Sequence, residues 1–146
     1  MAAELNLDID FRSGIPIYVQ IIEQVQQLVG SGKLKVGDQL PTVRQLAAEL
    51  RVNFNTVARA YRMLDDAGII STQHGRGTYI LEQPSAETRR ELRQEVLDNL
   101  TSAYLSKLSR MNYKPEDISR EFERQLAAWK KGSAPDDNDE ENLIEV

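Results

Sequence analysis

The sequence predicts a mainly α-helical fold with one small β-hairpin, and two observations indicate this class. Three segments between residues 16 and 68 place apolar side chains at helical spacing, and each is bounded by proline, glycine or a capping residue. Two β-prone runs then flank the tetrapeptide HGRG at 74–77, and two more segments with helical spacing follow residue 84. The predicted order is therefore three helices, a hairpin and a helical pair.

Composition limits the kinds of protein that this chain can be. At 146 residues it has the length of one domain, or of a small domain with an appendage. It has no cysteine and a single histidine, so we expect no disulfide, no metal site and no cofactor. No apolar run approaches the roughly 20 residues that cross a bilayer, and the N-terminus lacks a signal-peptide pattern. We expect a cytoplasmic protein without a membrane partner.

The first helix is predicted to begin near Pro16 and to end at Gly30. Proline suits a first helical turn because its missing N–H would have no helical partner there. The apolar residues that follow at helical spacing are Tyr18, Ile21, Ile22, Val25, Leu28 and Val29. Residues 1–14 show no such pattern and are expected to form a loose lead-in. Residues 33–41 are expected to be a turn-rich connection.

Two helices follow, each with its own capping residue. Thr42 is expected to cap the second helix, whose apolar positions are Val43, Leu46, Ala47 and Leu50. Asn53 is expected to cap the third helix, and Gly68 supplies the left-handed residue that ends it. The inward stripe of the third helix comprises Val57, Ala60, Tyr61 and Leu64.

The hairpin is predicted from the β-prone runs at 69–73 and 78–81. The glycines of the intervening HGRG permit the positive φ angles that a tight turn requires. Three helices followed by such a hairpin are the layout of a winged helix-turn-helix. We assign this domain to residues 1–83.

Pro84 and Ser85 mark a boundary, beyond which two helices with long apolar stripes are predicted. The stripe of the first comprises Leu92, Val96, Leu100, Ala103, Tyr104, Leu108 and Met111. The second begins near Pro115, and its stripe comprises Ile118, Phe122, Leu126 and Trp129. Two helices by themselves cannot bury apolar faces of this size. We therefore expect residues 84–131 to form a helical hairpin that dimerises. Residues 132–146 are expected to be an acidic disordered tail.

The charges of the chain are unevenly distributed. The net charge is −5, which taken alone argues against a nucleic-acid partner. Residues 33–80, however, hold seven basic and four acidic residues, a net charge of +3. Because local charge governs a groove-binding surface, the winged helix-turn-helix is compatible with double-stranded DNA as its partner.

The beginning of the third helix carries side chains that can read bases. This end of a recognition helix lies in the major groove, where asparagine pairs with adenine and arginine with guanine. The candidates are Asn53, Asn55, Arg59 and Arg62. The alternatives are a simple cap for Asn53 and a solvated residue for Asn55. For the two arginines the alternative is a solvated, salt-bridged face, since Asp66 is spaced to pair with Arg62.

Phe54 and Arg44 also have two interpretations each. Phe54 either packs under the turn as a hydrophobic staple or contacts a thymine methyl group. Arg44 lies in the first turn of the second helix, beside the phosphate path of any helix-turn-helix. Its alternative is an ordinary surface arginine.

The hairpin tip carries a second group of candidates, His74, Gly75, Arg76 and Gly77. Glycine lets the backbone approach a phosphate, and an arginine between glycines is attracted by the negative potential of a narrow minor groove. The alternative is a generic hairpin turn. His74 has no accompanying cluster of metal ligands, so a metal site is not expected there.

Four segments together resemble the GntR family of bacterial transcription regulators. They are PIYVQI at 16–21, LKVGDQLPTVRQLAAEL at 34–50, VNFNTVARAYRMLDDAGII at 52–70 and HGRGTYI at 74–80. The asparagine pair before Thr56 and the short two-helix C-terminal part are similar to the YtrA-like subfamily. The resemblance implies a DNA-binding homodimer that usually represses transcription, often of transporter operons. It names no small-molecule effector for this chain.

The resemblance also implies which residues contact DNA. They are Arg44 in the second helix, the start of the third helix including Thr56, and the wing residues His74 and Gly75.

This chain departs from the family pattern at two positions of the third helix. Many members carry arginine where this chain has Phe54 and Ala58, and YtrA-like members usually carry proline at position 54. We therefore expect Asn55 and Arg59 to read bases instead. Residues 85–146 are also too few for the ligand-sensing domain of most members.

Two other classes of function fit the sequence less well. An enzyme would need a nucleophile, a base and oxyanion-stabilising groups, or a cofactor lysine in a large domain, and the sequence shows neither arrangement. Winged helices also serve as protein-interaction scaffolds, but Arg44, Asn55, Arg59 and Arg76 favour DNA. Salt-dependent binding to duplex DNA distinguishes a scaffold from a DNA-binding module.

Overall fold

The structure, a computed structural model, describes residues 4–132 and 134–135. Its elements are α1 (Ile17–Gly30), β1 (Gln39–Leu40), α2 (Val43–Leu50), α3 (Phe54–Asp66), β2 (Ile70–Gln73), β3 (Gly77–Ile80), α4 (Ala86–Arg110) and α5 (Pro115–Lys130). The predicted class, mainly helical with a small β-hairpin, is confirmed. Most of the expected acidic tail, residues 136–146, lies outside the described residues.

The chain divides into two compact units. The first unit ends at Gln94 and the second begins at Glu95. The division therefore falls within α4, whereas the sequence pattern placed a boundary at Pro84. Among the described residues, no helix combines the length and the apolar character that crossing a membrane requires.

The core of the first unit joins α1, α2, α3 and the hairpin. Its largest fully buried side chains are Ile21, Ile22, Val25, Leu40, Leu46, Val57, Leu64, Ile69, Ile70 and Ile80. Burying one such aliphatic side chain stabilises a fold by about 1.5–3 kcal/mol. The predicted inward stripe of α3 is confirmed, because Val57, Ala60, Tyr61 and Leu64 are all buried. This stripe fixes which side of α3 faces solvent.

The segment before α1 is anchored, so the prediction of a loose lead-in was wrong. The side-chain amide of Gln20 exchanges two hydrogen bonds with the backbone of Asp10, at 2.8 and 2.9 Å. Gln24 does the same with Asp8, at 2.8 and 2.7 Å. Leu5 is also buried. Each glutamine side chain carries an N–H donor and a carbonyl acceptor, so it can satisfy both polar backbone groups of one residue.

The turn between α2 and α3 is built from local hydrogen bonds. Thr42 and Gln45 form a reciprocal capping box at the start of α2, which confirms the predicted cap. Helix α2 ends at Leu50, and the capping residue Arg51 that follows has a left-handed φ of 57°. The N–H groups of Arg51 and Val52 donate to the carbonyls of the last helical turn. Asn53 then caps α3, as predicted.

The sheet has three antiparallel strands in the order β1-β3-β2. Ile70 pairs with Ile80 in the hairpin, and Leu40 pairs with Thr78 on the other edge of β3. Strand β1 was not predicted, because we expected residues 33–41 to be only a connection. Two residues form a strand here because the backbone N–H and C=O groups of β3 pair with them. The sequence of β1 or of β3, taken by itself, does not predict this pairing.

The second unit consists of the remainder of α4 and α5. The rings of Tyr104 and Phe122 stack with their centroids 5.8 Å apart. No residue of α5, which the structure describes in full, is buried, and Trp129 is 53% exposed. Leu92, expected at a dimer interface, is instead only 2% exposed and belongs to the first unit. Its side chain is already covered within one chain.

Candidate nucleic-acid interface

Helix α3 presents a polar face opposite its buried stripe. Asn55, Arg59 and Arg62 are all exposed. They are spaced by four and then three residues, so they follow one another along the same side of the helix. The face therefore offers one amide and two guanidinium groups to a partner, with the donors and acceptors that base edges require.

The two asparagines at the start of α3 have different roles. The side-chain oxygen of Asn53 accepts a hydrogen bond from the backbone N–H of Asn55 at 2.8 Å. A bidentate pair with adenine needs both the oxygen and the nitrogen of the amide, so Asn53 could not form one without losing the cap. The predicted cap is therefore confirmed, and a contact of Asn53 with a phosphate, which is compatible with the cap, stays a prediction. The side chain of Asn55 has no hydrogen-bond partner among the described residues.

The alternative of a salt-bridged face on α3 is not observed. The two salt bridges found in the described part of the chain both lie on α5, between Arg120 and Asp117 and between Arg124 and Glu121. Arg62 thus makes no ion pair with Asp66 in this part of the structure. Its guanidinium group keeps its full capacity for an anionic partner.

Arg59 contacts an aromatic ring of α1. The guanidinium carbon of Arg59 lies 4.1 Å from the centroid of the Tyr18 ring. This is the geometry of a cation–π contact. Tyr18 is itself buried, at 6% exposure, although its hydroxyl has no hydrogen-bond partner among the described residues. The sequence pattern identified Tyr18 as a core residue but not as a neighbour of Arg59.

The other candidates near the start of α2 and α3 are exposed to different degrees. Phe54, at the first position of α3, is 49% exposed, so a staple would cover only about half of the ring. Thr56 is partly buried, and Arg44 is exposed in the first turn of α2. Arg44 makes no salt bridge within the described residues.

The tip of the hairpin is held by one side chain that is distant in the sequence and by two groups of the hairpin itself. The backbone carbonyl of Arg76 accepts hydrogen bonds from the Gln39 amide at 3.3 Å and from the Tyr79 hydroxyl at 2.8 Å. The backbone N–H of Arg76 donates to the Gln73 carbonyl at 3.0 Å. These three bonds fix the backbone from which the Arg76 side chain extends into solvent.

Glycine at one position of this tip is favoured by the backbone conformation, and a side chain there would displace Gln39. Gly77 has a φ of 122°, and a Cβ added there would lie 2.6 Å from the Gln39 Nε2 atom. Gly75 has a φ of 76°, but a Cβ there would meet nothing within 4 Å. His74, Gly75 and Arg76 are exposed and Gly77 is partly buried. Gly77 therefore shapes the wing, while the other three residues form its outer surface.

Helix α3 is connected to both its neighbours by specific hydrogen bonds. The Tyr61 hydroxyl donates to the backbone carbonyl of Pro41 at 2.7 Å, just before α2 begins. Burial, and to a lesser degree the charge of Glu49, raises the pKa of the Tyr61 phenol far above its usual value. The phenol therefore stays protonated and remains a donor. On the other side, Asp65 accepts a hydrogen bond from the Thr72 N–H of β2 at 3.3 Å.

The helices and the wing border a common shallow groove. A concavity of about 410 Å³ is lined from α2, α3 and the hairpin, by residues that include Val43, Ala58, Arg62, Thr72 and Thr78. The exposed side of α3 is thus flanked by the hairpin. The described residues contain no cluster of three or more histidine, cysteine, aspartate or glutamate side chains that could hold a metal ion.

Comparison with known proteins agrees with this architecture. The model of the family described as "Bacterial regulatory proteins, gntR family" matches residues 17–80. The chain is 53% identical over 76 residues to the transcriptional repressor YtrA of Bacillus subtilis, covering 52% of this chain and 58% of YtrA. It is 32% identical over 112 residues to the regulator YhcF of Bacillus subtilis, covering 77% of this chain and 91% of YhcF.

A solved structure shows the same relationship. YtrA of Sulfolobus acidocaldarius, a GntR-family transcription factor, is 40% identical with a TM-score of 0.50. The match covers 65% of this chain and 97% of that chain. These relatives are transcription regulators and not enzymes, and the expected similarity to YtrA-like proteins is confirmed. The chain therefore belongs to the GntR family of bacterial regulatory proteins and is a DNA-binding transcription regulator.

Proposed function

We propose that this regulator is a cytoplasmic homodimeric repressor that binds an inverted-repeat operator. Each copy reads one half-site with α3 in the major groove, while the wing approaches the adjacent minor groove. The observation that carries the proposal is the exposed face of Asn55, Arg59 and Arg62, which has no salt bridge within the described residues. Such a face matches base edges and phosphates better than it matches a protein surface.

The other exposed arginines extend this face over a larger surface. Arg44 in the first turn of α2 is placed to contact a phosphate, because that turn of a helix-turn-helix lies beside the DNA backbone. The backbone of Arg76 at the wing tip is fixed by hydrogen bonds from Gln39 and Tyr79. Its side chain is suited to the negative potential of a narrow minor groove. Phe54 is exposed enough to contact a thymine methyl group.

Two copies are proposed because one module offers too little contact. A single small DNA-binding module buries about 600–1,000 Å² of protein surface, at the lower end of what specific binding uses. A two-fold dimer doubles this area, and its symmetry requires an inverted repeat in the operator.

The second unit is the proposed dimer interface. It exposes an unusual number of large apolar side chains for a region of this size, namely Leu97, Leu100, Tyr104, Leu105, Met111, Tyr113, Leu126 and Trp129. Val96, Leu108, Ile118 and Phe122 are only partly buried and would gain cover as well. Exposed apolar surface of this kind is typical of a protein–protein contact.

The proposal also specifies the regulatory effect, which is repression, and the regulated genes, which encode a transporter. The similarity to a YtrA repressor supports repression. Blocking transcription also requires only that a bound dimer occupy the promoter. The transporter operon comes from the resemblance of the sequence to YtrA-like regulators.

The test combines binding-site selection with sedimentation, using the full chain. Selection from random duplexes should enrich an inverted repeat, with affinity that falls steeply as salt increases. The variant Leu100→Asp/Trp129→Asp should sediment as a monomer and bind the selected operator weakly. Ser106→Asp, on the opposite side of α4, adds a charge outside the apolar face and should remain dimeric. Enrichment of a single half-site, or an unchanged dimer in the double variant, would refute the proposal.

A further inference from the structure

We infer that Tyr18 is a positioning residue that holds Arg59 ready to read a guanine in the operator. This inference rests on the proposed function, because it requires Arg59 to lie in the major groove. The observation behind it is the stacking of the Arg59 guanidinium group over the Tyr18 ring, with 4.1 Å between the guanidinium carbon and the ring centroid.

Stacking and base reading use different parts of the guanidinium group. When a guanidinium group stacks on an aromatic ring, the ring covers one face of the planar cation and the N–H donors point outward in the plane. A bidentate pair with the O6 and N7 atoms of guanine uses two of these in-plane donors. Arg59 can therefore keep its contact with Tyr18 while it pairs with a base. Lysine at position 59 would lose both the planar face and the bidentate donors.

The ring beneath Arg59 is rigidly placed. Tyr18 is the second residue of α1 and is buried, so its ring has little freedom to move. The loop just before α1 is fixed by Gln20, whose side-chain nitrogen donates to the carbonyls of Asp10 and Ile15 at 2.9 and 2.8 Å. Because the ring is restrained, the arginine that stacks on it is restrained as well. The arginine then loses less side-chain entropy when it binds DNA.

The ring face, and not the hydroxyl, carries this role. The Tyr18 hydroxyl is buried without a hydrogen-bond partner among the described residues. Phenylalanine keeps the electron-rich face that attracts a cation, so it should replace tyrosine without loss of positioning. Leucine fills a similar space but has no such face. This pair of substitutions separates positioning from simple packing.

The experiment measures base preference in the full chain with Tyr18→Leu, Tyr18→Phe, Arg59→Ala and the Tyr18→Leu/Arg59→Ala double variant. Binding-site selection on the wild type defines the consensus, and anisotropy titrations then compare each single-base variant of the operator. Tyr18→Leu should reduce discrimination by about 3-fold at the same guanine position that Arg59→Ala relaxes. Tyr18→Phe should keep the wild-type preference. In the double variant, Tyr18→Leu should add no further loss to Arg59→Ala.

The outcomes that overturn the inference are distinct from those that overturn the proposed function. If the wild type selects no operator, the proposed function fails and this inference fails with it. If Arg59→Ala relaxes one guanine position but Tyr18→Leu weakens all duplexes equally, Tyr18 is only a packing residue. If Tyr18→Phe behaves like Tyr18→Leu, the ring face has no role.

A second series covers the case in which Tyr18→Leu does not fold. Fluorinated phenylalanines at position 18 keep the shape of the ring while progressively weakening its attraction for a cation. Discrimination at the Arg59-dependent guanine should fall with increasing fluorination. Constant discrimination across the series would overturn the inference.

Discussion

The substitution Gly77→Ala tests how the wing is held in place. Residue 77 has a φ of 122°, which side chains other than glycine adopt only with strain. A sparsely populated backbone conformation of this kind costs about 1–3 kcal/mol. The new methyl group would also lie 2.6 Å from the Gln39 Nε2 atom. Gln39 would then have to move away from the Arg76 carbonyl, with a net loss of about 0.5–1.5 kcal/mol.

These two terms predict that Gly77→Ala lowers the free energy of unfolding by about 1.5–4.5 kcal/mol. Urea denaturation followed by far-UV circular dichroism measures the loss. Operator affinity should fall as well, since the displaced wing no longer presents Arg76 correctly. The double variant Gln39→Ala/Gly77→Ala removes the clash but keeps the backbone strain. The loss of stability caused by Gln39→Ala should therefore be smaller in the Gly77→Ala variant than in the wild type.

Gly75→Ala is the matched control for this experiment. Gly75 also has a positive φ, of 76°, but a Cβ there would meet nothing within 4 Å. Its substitution should lower stability by about 1–2 kcal/mol, from the backbone term alone. The reasoning is refuted if the free energy of unfolding of Gly77→Ala lies within about 0.5 kcal/mol of the wild-type value, which is the range of an ordinary surface substitution. A larger loss for Gly75→Ala than for Gly77→Ala would refute it equally.

Four further substitutions test how the helices of the first unit are connected and which asparagine contacts DNA. Tyr61→Phe should lower the free energy of unfolding by about 1–3 kcal/mol in urea denaturation, because the Pro41 carbonyl loses its donor at 2.7 Å; an unchanged midpoint would contradict this. Arg51→Gly should keep or raise the melting temperature, because residue 51 has a φ of 57°, and a clear decrease would show that the arginine side chain stabilises the turn. Asn53→Ala should cost about 0.5–2 kcal/mol of stability and leave the selected consensus unchanged. Asn55→Ala should instead relax one base position by about 1–3 kcal/mol at unchanged stability, and the reverse pattern would exchange the two roles.

The sequence by itself determined the order of the elements and the local features that begin and end them. Thr42 caps α2 and Asn53 caps α3 through bonds to residues two or three positions away. Such bonds depend only on nearby residues, so a short stretch of sequence is enough to predict them. The apolar stripe of α3 likewise fixed its exposed face, and the candidates Asn55 and Arg62 followed from that.

Only the tertiary structure decided how these elements support one another. The bonds from Gln39 to Arg76 and from Tyr61 to Pro41 join residues that are 37 and 20 positions apart. The contact of Arg59 with Tyr18 also links two helices that are distant in the sequence. No local pattern predicts such pairs, because any of several polar or aromatic side chains could satisfy the same group. The packing of α1, α3 and the sheet selects one partner for each, and that choice sets the geometry of the face that we propose to bind DNA.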